Sequence, residues 1–186
     1  MERTDSELVR LARRGDREAF HAIVERYQRK IYAMLLGMLH DRDAAWETSQ
    51  ETFLRAFSSL EQFKGESGVY TWLYRIAVNL AIDFQRREQR RPIVAAPESA
   101  EALLEQPREP QPGDPYRSAR NREIGERVRA AVAELTPDHR AVILLREVEG
   151  LSYEEIGRVM QCAKGTVMSR LHYARKKLQS LLRDRV

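Results

Sequence analysis

The chain has little of what several classes of protein require. Its one cysteine, Cys162, excludes an internal disulfide framework and fits a reducing compartment. Its longest apolar run, residues 31–39, is too short to span a bilayer, and the N-terminus shows no charged-then-apolar signal pattern. We therefore expect a cytoplasmic protein that does not insert into membranes.

Patterns for catalysis and for metal binding are also missing. The four histidines lack the spacing of metal ligands, and no second cysteine exists to complete a zinc site. Residues 65–68 lack the lysine that ends a phosphate-binding loop. Asp41, Asp43 and Glu47 are acidic neighbours, but roles in a turn and a helix start explain them better than a metal. We expect no enzymatic activity, no catalytic residue, no metal and no cofactor.

Proline is scarce except in one segment. Six of the seven prolines fall in residues 92–117, together with several acidic residues. Such a composition predicts a flexible, acidic linker that packs poorly. Helical patterns on either side of it predict an all-α protein of two small helical domains, residues 1–91 and 118–186.

The first domain reads as helices throughout. A helix is predicted to start at Asp5, Asp16 can cap a second one, and a turn at 41–43 precedes a third over 44–60. We expect Phe53, Leu54 and Phe57 of this third helix to face inward.

Residues 66–91 carry the most informative pattern. One apolar stripe at helical spacing consists of Leu73, Ile76, Ala77, Leu80 and Phe84. The opposite face carries Arg75, Asn79, Asp83 and Arg86 or Arg87, with Tyr70, Trp72 and Tyr74 at the start of the run. Aromatic rings that stack on bases, beside cations that follow phosphates, suit single-stranded nucleic acid. The alternative is an amphipathic helix with Trp72 in the core and arginines that only solubilise.

Residues 135–178 predict a helix-turn-helix. Thr136 and Pro137 start one helix, whose apolar face includes Val148, and Gly150 ends it. Ser152 opens the next with a capping box, and residues 161–163 form the turn. The outer face of the last helix is basic and consists of Lys164, Thr166, Ser169, Arg170, Tyr173, Lys176 and Lys177. Such a helix suits the DNA major groove; the alternative is a three-helix core with a merely soluble face.

Two parts of the chain, one in each predicted domain, resemble the extracytoplasmic-function (group 4) RNA polymerase sigma factors of the sigma-70 family. Residues 50–57, 63–67 and 71–83 resemble region 2 of that family, and residues 135–157 and 165–171 resemble region 4. The resemblance implies promoter-specific transcription initiation, for a stress or envelope-signal regulon. Two rivals remain: an autonomous helix-turn-helix regulator that binds DNA unaided, and a helical module that binds proteins.

The resemblance also implies three groups of site residues. Core polymerase would be bound by Glu47, Gln50, Glu51, Phe53 and Leu54. The −10 element would be bound by Phe63, Lys64, Gly65, Ser67, Tyr70, Trp72, Arg75, Asn79, Arg86 and Arg87. The −35 element would be bound by Lys164, Thr166, Ser169, Arg170, Tyr173 and Lys176.

The partners that the resemblance implies are the largest and second-largest subunits of core RNA polymerase, promoter DNA and an anti-sigma factor. The free chain is expected to be a monomer. The sequence departs from the family's pattern at Trp46, Thr48 and Ser49 in the docking helix, and at Lys164 and Met168 in the DNA helix. We expect the last two to alter the −35 preference rather than abolish it.

Overall fold

The computed structural model describes residues 3–65, 67–90 and 115–183, with side chains from residue 123 onward in the last range. These ranges contain helices and no strand, which confirms the all-α prediction. The helices are α1 (Asp5–Ala12), α2 (Arg17–Leu39), α3 (Arg42–Ser58), α4 (Val69–Arg90), α5 (Pro115–Ala133), α6 (Pro137–Ile143), α7 (Tyr153–Met160) and α8 (Lys164–Arg183). A 3-10 turn follows α3 at Leu60–Gln62, and a π-helical turn follows α6 at Leu144–Val148.

Side-chain caps fix the helix starts in the first domain. The Thr4 hydroxyl accepts from the Glu7 backbone N–H while the Glu7 carboxylate accepts from the Thr4 N–H, which forms a capping box. Asp16 caps α2 by accepting from the Ala19 N–H at 3.1 Å, as predicted. Asp41 caps α3 in the same way, so α3 begins at Arg42 rather than at 44.

Helix α4 is buried on two sides. The predicted stripe packs into the first domain, with Leu73 and Ala77 fully buried, and Arg75 and Asn79 are exposed as predicted. A second buried face, which the sequence pattern did not predict, carries Tyr74, Val78 and Ala81. Because α4 contacts α6 and α7 of the second domain as well as α2 and α3, it lies between the two domains.

Two expectations about inward-facing residues are wrong. Leu54 is 64% exposed and Phe57 50% exposed, because they lie on the flank of α3 that faces an open groove. Val148 is 67% exposed, because the π-helical turn adds a residue per turn and rotates it away from the core. Phe53 is buried, as expected.

The second domain is built around the predicted helix-turn-helix. Thr136 caps α6 with Pro137 in its first turn, and Ser152 and Glu155 form the capping box of α7. Gln161 ends α7 in the left-handed region, with φ 51°. A Cβ at Gly157 would lie 2.9 Å from the Cys162 carbonyl oxygen, so only glycine lets the turn approach α7 this closely.

The predicted linker lies largely outside the described residues. Of residues 92–117, only the last three are described, and these already belong to α5. The boundaries of the linker and of the two domains therefore stay predictions. Among the described helices, none is long and apolar enough to cross a membrane.

Candidate nucleic-acid and protein interfaces

An apolar groove of about 620 Å³ opens between α2 and α3. We call it the apolar groove; its hydrophobic walls are Phe20, Val24, Tyr32, Trp46, Phe53, Leu54 and Phe57. Phe20 meets Phe57 edge-on at 5.0 Å between ring centroids, and Tyr32 meets Trp46 at 6.2 Å. Aromatic and aliphatic side chains left this exposed together are typical of a protein-binding surface.

The predicted polymerase-binding residues border this groove unevenly. Gln50, Phe53 and Leu54 line it, Glu47 is exposed nearby on α3, and Glu51 is paired with Arg55 at 2.7 Å. The sequence interpretation missed Phe20, Tyr32, Trp46 and Phe57 as groove residues. Their signal was present, because positions 46, 50, 53, 54 and 57 form a second helical stripe beside the buried stripe of Ala45, Ser49, Thr52 and Ala56.

The departures from the family pattern in α3 fall on different surfaces. Thr48 and Ser49 are buried, so they affect packing beneath the groove more than its exposed rim. Below them, the buried Thr52 hydroxyl donates to the Thr48 backbone carbonyl at 2.7 Å, so the Thr52 side chain is satisfied within the helix. Trp46 is 56% exposed and stands at the groove itself.

The exposed side of α4 forms a continuous polar row. We call it the strand face; it consists of Arg75, Asn79, Asp83 and Arg86, and Arg87 is exposed beside it. Lys64 and Gly65 are also exposed in the preceding loop, where Gly65 has φ +73°, and Ser67 is half-buried. The strand face provides cations and an amide, which are groups that suit a single strand of nucleic acid.

The aromatic members of the predicted −10 site are not on that surface. Trp72 is 4% and Phe63 9% exposed, and their ring centroids lie 4.8 Å apart. In this conformation both pack in the core, as the alternative interpretation of this helix expected for Trp72. Neither ring is free to stack on a base here.

Tyr70 is half-buried and faces the second domain. Its hydroxyl donates to the Glu149 carboxylate at 2.6 Å, and its ring lies 4.4 Å from the ring of Tyr74 and 6.0 Å from that of Tyr27. Burial, together with the Glu149 hydrogen bond, raises the pKa of Tyr70 above its usual value. Tyr70 is therefore a neutral donor that contacts the second domain.

The predicted −35 residues lie on the outer side of α8, but they differ in how exposed their side chains are. Lys164, Ser169, Tyr173 and Lys176 are exposed, whereas Thr166 and Arg170 are half-buried. The Arg170 guanidinium reaches the Asp138 carboxylate of α6 at 3.2 Å, which ties it to the domain's own fold.

Two further cations of α8 are paired with acidic residues. Lys164 Nζ lies 2.5 Å from Glu154, and this hydrogen bond lowers the pKa of the Glu154 carboxyl. Arg175, which the sequence interpretation left out, pairs with Glu147 at 2.6 Å. Because these pairs are exposed, each contributes little to stability.

No group of three or more potential metal ligands occurs among the described residues. A capped helix, a tight turn and a second helix with a basic outer face have the geometry of a helix-turn-helix that reads duplex DNA.

Comparisons with known proteins agree with this geometry. The family model for Sigma-70 region 2 matches residues 23–91, and the model for Sigma-70, region 4 matches residues 125–178. The RNA polymerase sigma-H factor of Pseudomonas aeruginosa is 40% identical, with 97% of this chain and 96% of that protein covered. The ECF RNA polymerase sigma-E factor of Escherichia coli K12 is 38% identical, with 97% of each covered.

Solved structures show the same fold. CnrH in complex with the cytosolic domain of CnrY superposes with a TM-score of 0.70 at 24% identity, covering 97% of each chain. The sigma factor RpoE in complex with the anti-sigma factor NepR from Bartonella quintana gives 0.68 at 24% identity, covering 88% of this chain and 96% of that one. The names of the sequence relatives support the sigma factor over the autonomous regulator. The chain therefore belongs to the extracytoplasmic-function sigma factors of the sigma-70 family, which are non-enzymatic factors for transcription initiation.

Proposed function

We propose that this sigma factor divides its work among three surfaces. The apolar groove, with Glu47, Gln50 and Glu51 on its rim, binds the core RNA polymerase. The strand face of α4 and the loop at 63–67 bind the −10 element. The outer side of α8 binds the −35 element, and the protein acts in the cytoplasm as a monomer until it meets the polymerase.

The apolar groove is the main observation that supports binding to core RNA polymerase. Leu54, Trp46 and Phe57 are each at least half exposed on one helix, and a free protein gains nothing from such exposure. Burying this surface on a partner removes apolar area from water, which is the main favourable term in association. An anti-sigma factor that covers the same groove would block the polymerase, and we propose that this is how the protein is held inactive.

The strand face supplies the contacts for opened DNA. Taking a base out of the duplex costs a few kcal/mol, and a protein offsets this by contacts made only to the extruded strand. Arg75 and Arg86 follow the phosphates, Asn79 supplies an amide, and the loop at 63–67 captures a base. The Phe63–Trp72 pair is the apolar wall behind that loop.

The outer side of α8 supplies duplex recognition. Lys164, Ser169 and Tyr173 lie at its exposed, N-terminal half, which is the part of a recognition helix that reaches base edges. Each well-made base contact discriminates by about 1–3 kcal/mol, whereas phosphate contacts from Lys176 position the helix without selecting sequence. Each domain alone binds weakly, and the polymerase makes the second contact intramolecular.

Run-off transcription tests the proposal. Purified core polymerase, the full chain and a random promoter library should yield transcripts that start at selected positions and share two sequence elements. A gel shift without polymerase serves as the discriminating control. Tight, sequence-specific binding by the free chain, combined with no stimulation of the polymerase, would instead favour the autonomous regulator.

A further inference from the structure

We propose that Asp138, Glu147 and Glu154 are positioning residues that raise the sequence selectivity of α8 without contacting DNA themselves. Each holds a cation of α8 in an internal ion pair, so DNA of the wrong sequence meets few free cations on this helix. The inference rests on the function proposed above, because it takes α8 as the helix that reads the −35 duplex.

The three acidic residues come from three different elements that precede α8 in the chain. The ion pairs, which we call the flank pairs, are Lys164–Glu154 at 2.5 Å, Arg175–Glu147 at 2.6 Å and Arg170–Asp138 at 3.2 Å. Their carboxylates belong to α7, to the π-helical turn and to α6, in that order. Each of these elements therefore places one acid against one cation of the DNA-reading helix.

The flank pairs lie along the two edges of α8 rather than on its outward side. Lys164 and Arg175 are about three helical turns apart, so they share one edge, and Arg170 lies on the other edge. The side opposite the buried residues carries, from the start of the helix, Gly165, Ser169, His172 and Lys176, all of them exposed. The first three turns of this outward side therefore hold no lysine or arginine.

Stability does not explain the flank pairs. Both side chains of the Lys164–Glu154 pair are 57% exposed, and those of the Arg175–Glu147 pair are about half exposed. Exposed ion pairs contribute little to the free energy of unfolding. Lys164 is also the first residue of α8, where the positive end of the helix dipole disfavours a cation. These pairs therefore affect the charge that DNA meets more than they affect folding.

The charge balance acts differently on the two modes of DNA binding. Non-specific binding depends almost entirely on cations that neutralise phosphates and release counterions. Lys164 and Arg170 are the only lysine and arginine in the first half of α8, and both are paired, so this half attracts phosphates weakly. At the correct sequence, base contacts hold the helix in one register and bring phosphates to both edges. There the phosphates exchange with the carboxylates, and the cations contribute only to the specific complex.

The salt dependence of DNA binding tests the neutralisation. Glu154→Gln and Glu147→Gln, alone and combined, free Lys164 and Arg175 with little change in side-chain size. Binding of the full chain to a labelled duplex of random sequence is measured by fluorescence anisotropy at several salt concentrations. Each substitution should steepen the plot of log affinity against log salt by about 0.9, and the double variant by about 1.8. At 0.1 M salt each freed cation should raise the affinity by about five- to tenfold.

Glu126→Gln is the matched control for net charge. It removes an exposed carboxylate of the same domain, on α5, that makes no ion pair with the described residues of α8. Its salt dependence should equal that of the wild type. A purely structural role of Glu147 or Glu154 would change thermal unfolding but not the salt dependence, so the two measurements are made on every variant.

Transcription tests the selectivity. Run-off from a selected promoter is compared with run-off from the same promoter carrying a scrambled −35 element, at limiting holoenzyme. The ratio of the two yields should fall by about fivefold or more in the double variant, because the freed cations bind the scrambled duplex as well. The control variant should keep the wild-type ratio.

Two results would overturn the inference. One is a salt dependence in both single variants equal to that of Glu126→Gln, since the acids would then not neutralise α8 towards DNA. The other is a steeper salt dependence with an unchanged promoter ratio, since the acids would then weaken binding without selecting sequence. If the wild-type chain failed to initiate on any promoter, the proposed function would fail instead, because the salt dependence of the free chain does not involve the polymerase.

Discussion

Leu54→Ala is the sharpest test of the apolar groove. Full burial of a leucine side chain is worth about 1.5–3 kcal/mol relative to full exposure. Leu54 is 64% exposed in the free protein, so docking can bury about two thirds of its surface, worth about 1–2 kcal/mol. That corresponds to about a 5- to 30-fold weaker affinity for core RNA polymerase. Adding Phe57→Ala, at 50% exposed, should weaken binding by a similar further factor.

The assay must separate docking from folding. Affinity for core polymerase can be measured by titrating labelled sigma factor, and thermal unfolding can be followed in parallel. Because Leu54 packs little in the free chain, its substitution should change the free energy of unfolding by no more than about 0.5 kcal/mol.

Met168→Ala is the matched control, since Met168 is 52% exposed on α8, away from the groove. The reasoning is refuted if Leu54→Ala binds polymerase with unchanged affinity, or if Met168→Ala loses as much.

Three further predictions concern α4, α8 and His40. Asn79→Ala should reduce permanganate reactivity at the start site without changing thermal stability, whereas Trp72→Ala should lower the free energy of unfolding by about 3–5 kcal/mol, because it empties a buried site; equal stabilities would contradict this division. Arg170→Ala should weaken use of the −35 element but spare a pre-melted template, and equal loss on both would assign Arg170 to folding through Asp138. Burial, and then Arg140, lower the pKa of His40 to about 4. Because the unfolded chain then takes up the proton first, His40 should make stability fall as pH drops from about 6.5 to 4. His40→Asn, which suits the left-handed backbone at φ 57°, should remove that part of the slope in urea titrations, and an unchanged slope would contradict the assignment.

Short-range sequence signals, namely helix caps and helical periodicity, predicted the helices well. The caps at Asp16, Thr136 and Ser152 and the exposed positions of Arg75 and Asn79 follow from side-chain chemistry and helical period alone. These features depend on residues within one or two turns, so the chain's sequence contains all of the information that they need.

The misplaced residues depend on tertiary context. An exposed apolar residue at a binding surface has the same sequence pattern as an apolar residue in the core. For this reason the sequence predicts that Leu54 and Phe57 lie in the core, although both are exposed. The second face of α4 is buried because another domain packs there. The sequence pattern of Tyr74 and Val78 does not predict a contact between domains. Trp72 was predicted to contact DNA, but its 4% exposure reflects packing against Phe63. Its role with DNA stays a prediction.

Gly157 has a consequence far from its own position. A methyl group there would meet the Cys162 carbonyl oxygen at 2.9 Å, and backbone atoms at such a distance must move apart. Cys162 lies in the turn that leads into α8, so such a movement would tilt α8, which is about 30 Å long. A tilt of about 5° at the root would displace the far end by about 2.6 Å, nearly the length of a hydrogen bond. Tyr173, about 14 Å from the start of α8, would move by about 1.2 Å, so even the smallest side chain at position 157 would disturb the proposed contacts with DNA.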